Sequence, residues 1–170
     1  SGFTRWTRDD GLLDDGLLAI EEDDDGSLWL STRVGLSRFD PASGRIFVAD
    51  TRADTVMVVD REGTLLATIG QEGDAAGQLN SPTYIALSED RLYVTDTLNA
   101  RIQVFDKGGR FVSSFGERGL YVGNLTRPKG VAVSEDGLVY VVESYYDYLL
   151  VFDRKGRLLL PIGGTGHRPG

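Results

Sequence analysis

The chain has 170 residues, 41% hydrophobic and 26% charged, with a formal net charge of −8. That length supports one domain with a real core. No apolar run approaches the ~20 residues of a membrane span, the lack of cysteine excludes disulfides and thiolate metal sites, and an acidic balance without clustered Lys and Arg speaks against nucleic acid as a partner.

The charge is uneven: residues 1–50 hold 5 Lys/Arg against 11 Asp/Glu, and the remainder 13 against 15. The opening Ser-Gly shows no secretory leader pattern. The run "FTRWT" reads as a first strand, with Trp6 against a neighbouring strand. The acidic run "EEDDD", residues 21–25, falls where a first-to-second strand turn is expected. It lacks the alternating oxygen ligands and distal Glu of a calcium loop, so it reads as a solvated hairpin turn. "DGSLWLST" follows, with Trp29 as a core position, then "GLSRFD" and "GRIFVAD". The runs "TVMVVD" and "TLLATIG" come next. From Leu79 the chain reads "TYIALS", "RLYVTD", "RIQVFD" and "RFVSSFG", each alternating apolar and polar residues with period two, as strands do. Turns rich in Asp and Gly, "SED", "DKGG" and "DRKG", separate them. The 22 glycines agree with an all-β chain of short strands.

This last unit recurs. Leu79 and Leu125 stand 46 apart, as do Pro82 and Pro128; one inserted residue, Gly137, lengthens the spacing to 47 from Tyr93–Tyr140 to Gly116–Gly163. "RIFVADTRADTVMVVDREGTLLATIG" joins without gaps, placing Phe47, Asp60 and Gly70 each 46 before Tyr93, Asp106 and Gly116. Four strands in about 40–50 residues mark a β-propeller blade. A single blade cannot bury both faces, so neighbours must stack on it.

From residue 46 to 170 the pattern "GQLNSPxxIAL…LYVTDTLNARIQVFD…GRFVSSFG" closely resembles the NHL repeat of six-bladed propellers. The second full repeat departs from it: Asp96 becomes Glu143, Asn99 becomes Tyr146 and Arg101 becomes Tyr148. Residues 1–50, with a "DGL" opening, "DGSLWLST", "GLSRFD" and a "GR" strand, resemble a different unit, the two-component-regulator propeller repeat of extracytoplasmic sensor regions. These resemblances imply an all-β propeller of four-stranded antiparallel blades, roughly four in this chain, incomplete or chimeric. The divisions are a regulator-propeller-like blade at 1–50, an incomplete unit at 51–78, an NHL-like blade at 79–124, and another with a terminal linker at 125–170. They also imply an extracellular or periplasmic location, which the residues themselves leave open.

The two patterns collide on "GRIFVAD". It is the outermost strand of a blade in the first and a second strand in the other. Trp29 and Phe47 are 18 residues apart where the repeat asks for about 46. Three arrangements follow: a closed small propeller, a fragment or recombined piece of a larger one, or part of a ring completed by another copy through open blade edges. A closed or nearly closed ring is the expectation. The terminal "GGTGHRPG" matches the linker "GERGLYVG" and stops where another blade would start.

By the resemblance, ligands sit on the face carrying residues 32–35, 50–55, 96–101 and 143–148, bordered by linkers 71–81 and 117–127. Asp50, Asp96 and Glu143 are equivalent there. Converging on an axis they can bind a hard cation such as calcium; alternatively each locks its own blade through local hydrogen bonds. Thr51, Thr97 and Ser144, which follow them, favour the second reading. "SYYDY" offers Tyr145, Tyr146 and Tyr148, with Arg101 equivalent to Tyr148, as a contact patch. Alternatively those rings wedge between blades. The sole histidine, His167, lies in the Gly-rich tail, which disfavours histidine-zinc and Ser-His-Asp chemistry.

The expected function is a non-catalytic binding or scaffolding module for a protein or small ligand, without membrane insertion. Two alternatives stand beside it: a carboxylate-metal hydrolase or lyase of the gluconolactonase-like type, and a recombined propeller piece with no ligand of its own.

Overall fold

The computed structural model describes residues 17–22, 28–32, 36–40, 44–60, 64–88 and 90–164, with side chains from residue 44 on. The expectations for Trp6, Trp29, the turn at 23–27, the loop at 33–35 and His167 lie outside the described residues or side chains.

Every described element is a strand. β1 (Leu17–Glu22), β2 (Leu28–Thr32), β3 (Leu36–Asp40), β4 (Arg45–Asp50), β5 (Thr55–Val59) and β6 (Leu65–Ile69) form one six-stranded sheet in chain order. β7 (Pro82–Leu87), β8 (Arg91–Asp96), β9 (Arg101–Asp106) and β10 (Phe111–Phe115) form a second sheet. β11 (Pro128–Val133), β12 (Val139–Glu143), β13 (Tyr148–Phe152) and β14 (Leu158–Gly163) form a third. All neighbouring strands are antiparallel. No helix among the described residues is long and apolar enough to cross a membrane.

The sheets stack through two cores that are the same core repeated. Phe47, Val56, Val58, Ile69 and Leu79 meet Ile85, Leu92, Val94 and Phe105 between the first and second sheets. Tyr93, Ile102, Val104, Phe115 and Leu125 meet Val131, Val139, Val141 and Phe152 between the second and third. Each residue of the second set lies 46 or 47 after its counterpart in the first. The second sheet is therefore apolar on both faces, and nearly all of β8 is buried. Alternation of period two breaks down there because both sides of the pleat face a core.

The collision at "GRIFVAD" resolves as both patterns together. On one side β4 pairs with β3, placing Phe47 opposite Arg38; on the other it pairs with β5, placing Phe47 opposite Val58. Phe47 occupies in the first core the place that Tyr93 takes in the second. β7 packs on β3 and β4 as β11 packs on β7 and β8. The strand "LSRFD" thus stands in for the missing inner strand, and β4, β5 and β6 complete a unit borrowed from two repeats.

Ring closure lies outside the described residues, because "FTRWT", the strand expected to complete it, is not among them. In the third sheet, the register aligns Val142, Leu149 and Ile162 in one row and Tyr140, Val151 and Leu160 in the next, all on the side away from the second sheet. None of the described strands stacks on that side as β11 stacks on β7. Val142 remains 44% and Ile162 47% exposed. The described sheets follow one another as an arc, and among the described residues no sheet lies against this side of the third, although Val151 in the same rows is only 5% exposed.

Candidate binding face

The loops joining second to third strands, 51–54, 97–100 and 144–147, emerge on one rim of the arc. Each turns through a non-glycine residue in the left-handed region at the same repeat position: Asp54 (φ 55), Ala100 (φ 59) and Asp147 (φ 58). That conformation is uncommon outside glycine, and its recurrence follows from one turn geometry used three times.

The three equivalent carboxylates hold these loops in different ways. Asp50 Oδ1 accepts the backbone N–H groups of Arg52 and Ala53, both at 3.0 Å. Asp96 is fully buried and accepts from Asn80 N at 2.7 Å, Arg101 Nε at 2.7 Å, Gln103 Nε2 at 3.1 Å and the Asn99 amide. Glu143, also fully buried, accepts from the backbone N–H groups of Arg127 (2.6 Å), Tyr145 (3.1 Å) and Tyr146 (2.8 Å). Among the described residues no three His, Cys, Asp or Glu side chains gather closely enough to hold a metal ion. A buried carboxylate so surrounded by donors has its hydrogen-bonding capacity met within the fold.

Arg101 is part of the same clasp. While Nε meets Asp96, its Nη2 donates to the carbonyls of Ala75 and Gln78, both at 2.9 Å, pinning the linker before β7. Gln103 donates to the same Gln78 carbonyl and accepts from Gly77 N at 2.9 Å. In the third sheet these positions are Tyr148 and Leu150, which cannot make those bonds. Tyr148 packs instead on the edge of the second core. A cleft of ≈ 260 Å³ lies beside this altered linker, lined in part by Glu117, Asn124, Phe152 and Leu158. Thr51 Oγ1 and Thr97 Oγ1 reach forward to the carbonyls of Pro82 and Pro128, at 2.8 and 3.0 Å, tying each sheet to the next. Ser144 Oγ, with no next sheet described, donates back to Arg127 O at 2.9 Å.

Of the residues expected to contact a partner, Tyr145 is 59% exposed. Its ring meets Tyr146 edge-on, with centroids 4.7 Å apart. Larger exposed groups lie in the neighbouring linker, where Leu120, Tyr121 and Val122 project into solvent, Tyr121 at 82% exposure. Arg118 Nη2 donates to Leu98 O at 3.0 Å, bringing the exposed Leu98 beside that linker. The linker is shaped by Asn124 Oδ1, which accepts Tyr121 N at 2.9 Å, as Gln78 Oε1 accepts Ala75 N at 3.0 Å one repeat earlier. Sequence reasoning did not single out this tip. The signal was present in the repeat itself, since Leu120-Tyr121-Val122 occupies the place of Asp74-Ala75-Ala76.

Stacked antiparallel sheets, two of them four-stranded, joined outer strand to inner strand by a clasped linker, define a β-propeller fold. No family model and no curated protein matches the sequence. Solved structures do. Virginiamycin B lyase from Staphylococcus aureus matches with a TM-score of 0.62 at 14% identity, over 87% of this chain and 56% of that one. Hydrazine synthase from Kuenenia stuttgartiensis matches with a TM-score of 0.60 at 20% identity, over 93% and 51%. The extracellular domain assigned to a hybrid two-component system of B. thetaiotaomicron matches with a TM-score of 0.54 at 14% identity, over 90% and 22%. At these identities the likeness is one of fold. The chain spans little more than half the length of the first two.

Proposed function

We propose that this chain is a non-catalytic recognition segment of a β-propeller that binds a protein partner through its loop rim, outside the cytoplasm. The supporting observation is the placement of Leu120, Tyr121 and Val122, with Tyr145 and Leu98, as large exposed side chains on loops that are otherwise pinned by hydrogen bonds. Exposed aromatic and aliphatic side chains on pre-ordered loops lose little entropy on binding, which favours them as contact anchors. The carboxylates at Asp96 and Glu143 point away from metal-dependent hydrolysis or lyase chemistry, since acting as ligands would mean giving up the donors that hold the loops. The exported location draws support from the likeness to an extracellular domain.

The test is selection of a displayed random-peptide library on the 170-residue protein. Selected peptides are expected to bind Leu120→Ala/Tyr121→Ala/Tyr145→Ala at least about tenfold more weakly, a loss of ~1.4 kcal/mol. Equal binding to the triple variant, with its circular dichroism unchanged, would remove the rim from consideration.

A further inference from the structure

We infer that the cleft between the linker before β11 and the third sheet takes a guanidinium group, carried by an arginine side chain of a partner bound at the loop rim. One repeat earlier the linker is clasped from within. Arg101 gives its guanidinium to Asp96 and to the carbonyls of Ala75 and Gln78. Gln103 adds its amide to the Gln78 carbonyl and accepts Gly77 N. The second linker repeats the clasped groups 46 residues on, as Tyr121 O, Gly123 N and Asn124 O. Asn124 N still donates to Tyr121 O, as Gln78 N does to Ala75 O. The two side chains of the clasp do not recur: their positions hold Tyr148 and Leu150. Leu150 is buried in the second core and Tyr148 packs at its edge. Among the described residues no other side chain takes over their bonds to the linker.

The cleft beside this linker, ≈ 260 Å³, is lined by Glu117, Gly123, Asn124, Phe152 and Leu158 among others. Its apolar side has lost a ring: Phe105 meets Phe111 edge-on at 6.2 Å, whereas Phe152 has Leu158 at the corresponding place. Its polar side has gained a charge. Glu117 stands where Gln71 stands one repeat earlier, so a carboxylate is added where two donors are removed. Glu117 is exposed, and its Oε1 has only a long contact with the Asn124 amide, at 3.4 Å. Arg118, beside Glu117, is turned to Leu98 O, and Arg157, beside Leu158, to Asp153. Backbone carbonyls beside a carboxylate suit the planar fork of a guanidinium, with its five N–H donors, better than the compact ammonium of lysine. The chain's charge of −8 favours a cation. The same linker carries Leu120, Tyr121 and Val122, so a partner on the rim has a side chain within reach of the cleft. The guanidinium follows from the cleft alone; its origin in a partner rests on the reading of the rim.

The experiment is an NMR titration of the backbone amides of the 170-residue protein with N-acetyl-arginine amide, N-acetyl-lysine amide and the neutral isostere N-acetyl-citrulline amide. The arginine compound is expected to give saturable shifts at Glu117, Gly123 and Asn124. The lysine compound is expected to bind at least about tenfold more weakly, and the citrulline compound to leave these amides in place. Glu117→Gln, at an exposed position, is expected to weaken binding about tenfold. Tyr148→Arg/Leu150→Gln supplies the missing clasp from within and is expected to abolish binding; if that variant does not fold, Glu117→Gln carries the test. Shifts that never saturate, equal binding of the lysine compound, or unchanged affinity in Glu117→Gln overturns the guanidinium site. For the partner, a peptide from the rim selection is expected to contain arginine, to bind at least about tenfold more tightly than the free amide, and to lose that gain when the arginine becomes citrulline. Selected peptides without arginine, while the free amide still binds, overturn the partner as the source and leave a site for a free guanidinium compound. A selection that yields no peptide, with the amide still bound, overturns the reading of the rim and not that of the cleft.

Discussion

Asp106 and Asp153 show how one side chain closes a turn and how the repeat copies it. Asp106 Oδ1 accepts from Gly108 N and Arg110 N while Oδ2 takes Arg110 Nε at 2.9 Å. Asp153 does the same with Lys155 N, Arg157 N and Arg157 Nε, the last at 2.6 Å. Donation by the backbone N–H of Arg110 and of Arg157, respectively, is the main reason each carboxyl is held below its ordinary value. Because the folded value is depressed, this stability is present above the unfolded value and is lost as pH falls through the folded one. Below about pH 4, Asp106→Asn/Asp153→Asn is expected to show a shallower fall of Tm with pH than the parent; identical acid limbs would show that these turns do not couple to folding. The Asp–Gly turn signal made both residues legible in sequence. Asp96 was legible only as a position. Its donors come from Asn80, 16 residues earlier, and from Asn99, Arg101 and Gln103 on the far side of a loop. Only folding brings that set together.

Strands and their turns carry the stacking as well as the pairing. Gly156 sits in a turn with φ +76, and a Cβ there would run into Phe115 of the neighbouring sheet. Phe115 in turn packs on Phe152, with ring centroids 5.0 Å apart. Gly109, 47 residues earlier, stands in the same relation to Ile69. Gly156→Ala therefore meets both an unfavourable backbone and an occupied space, and is expected to cost about 1–3 kcal/mol in urea unfolding. Gly130→Ala is the contrast, since an added Cβ meets Val142 at ordinary contact distance and no positive φ is required. It is expected to be neutral or stabilising by up to ~1 kcal/mol. A Gly156→Ala variant as stable as Gly130→Ala would contradict this account of sheet stacking. The inserted residue Gly137, read from spacing alone, falls in the turn between β11 and β12 and leaves the register of β12 with β13 unbroken.

Across the assembled arc, protection is expected to follow how many faces of a sheet are covered. Among the described residues, the second sheet lies between two cores and the third borders one. β14, with exposed apolar side chains and no described strand beyond it, is the outermost element. Hydrogen exchange should accordingly be slowest in β8 and β9 and fastest among the paired strands in β14. Amides of β14 exchanging as slowly as those of β8 would mean that the arc does not open from its uncovered end.

Strand positions, the 46-to-47-residue spacing and the double reading of "GRIFVAD" are all properties of local pattern, and the sequence carries them. Alternation of apolar residues and Gly-bearing turns requires only neighbours along the chain. What needed the tertiary structure was which sheet covers which. Tyr140 and Leu149 stand where the buried Tyr93 and Ile102 stand one repeat earlier, so residue type alone does not say which of them a further sheet covers until the stack is built. The merger of β3 with β4 has the same cause. A strand edge accepts any partner of suitable register, and the inner strand missing from the second pattern was supplied by the first because "LSRFD" was already hydrogen-bonded beside it.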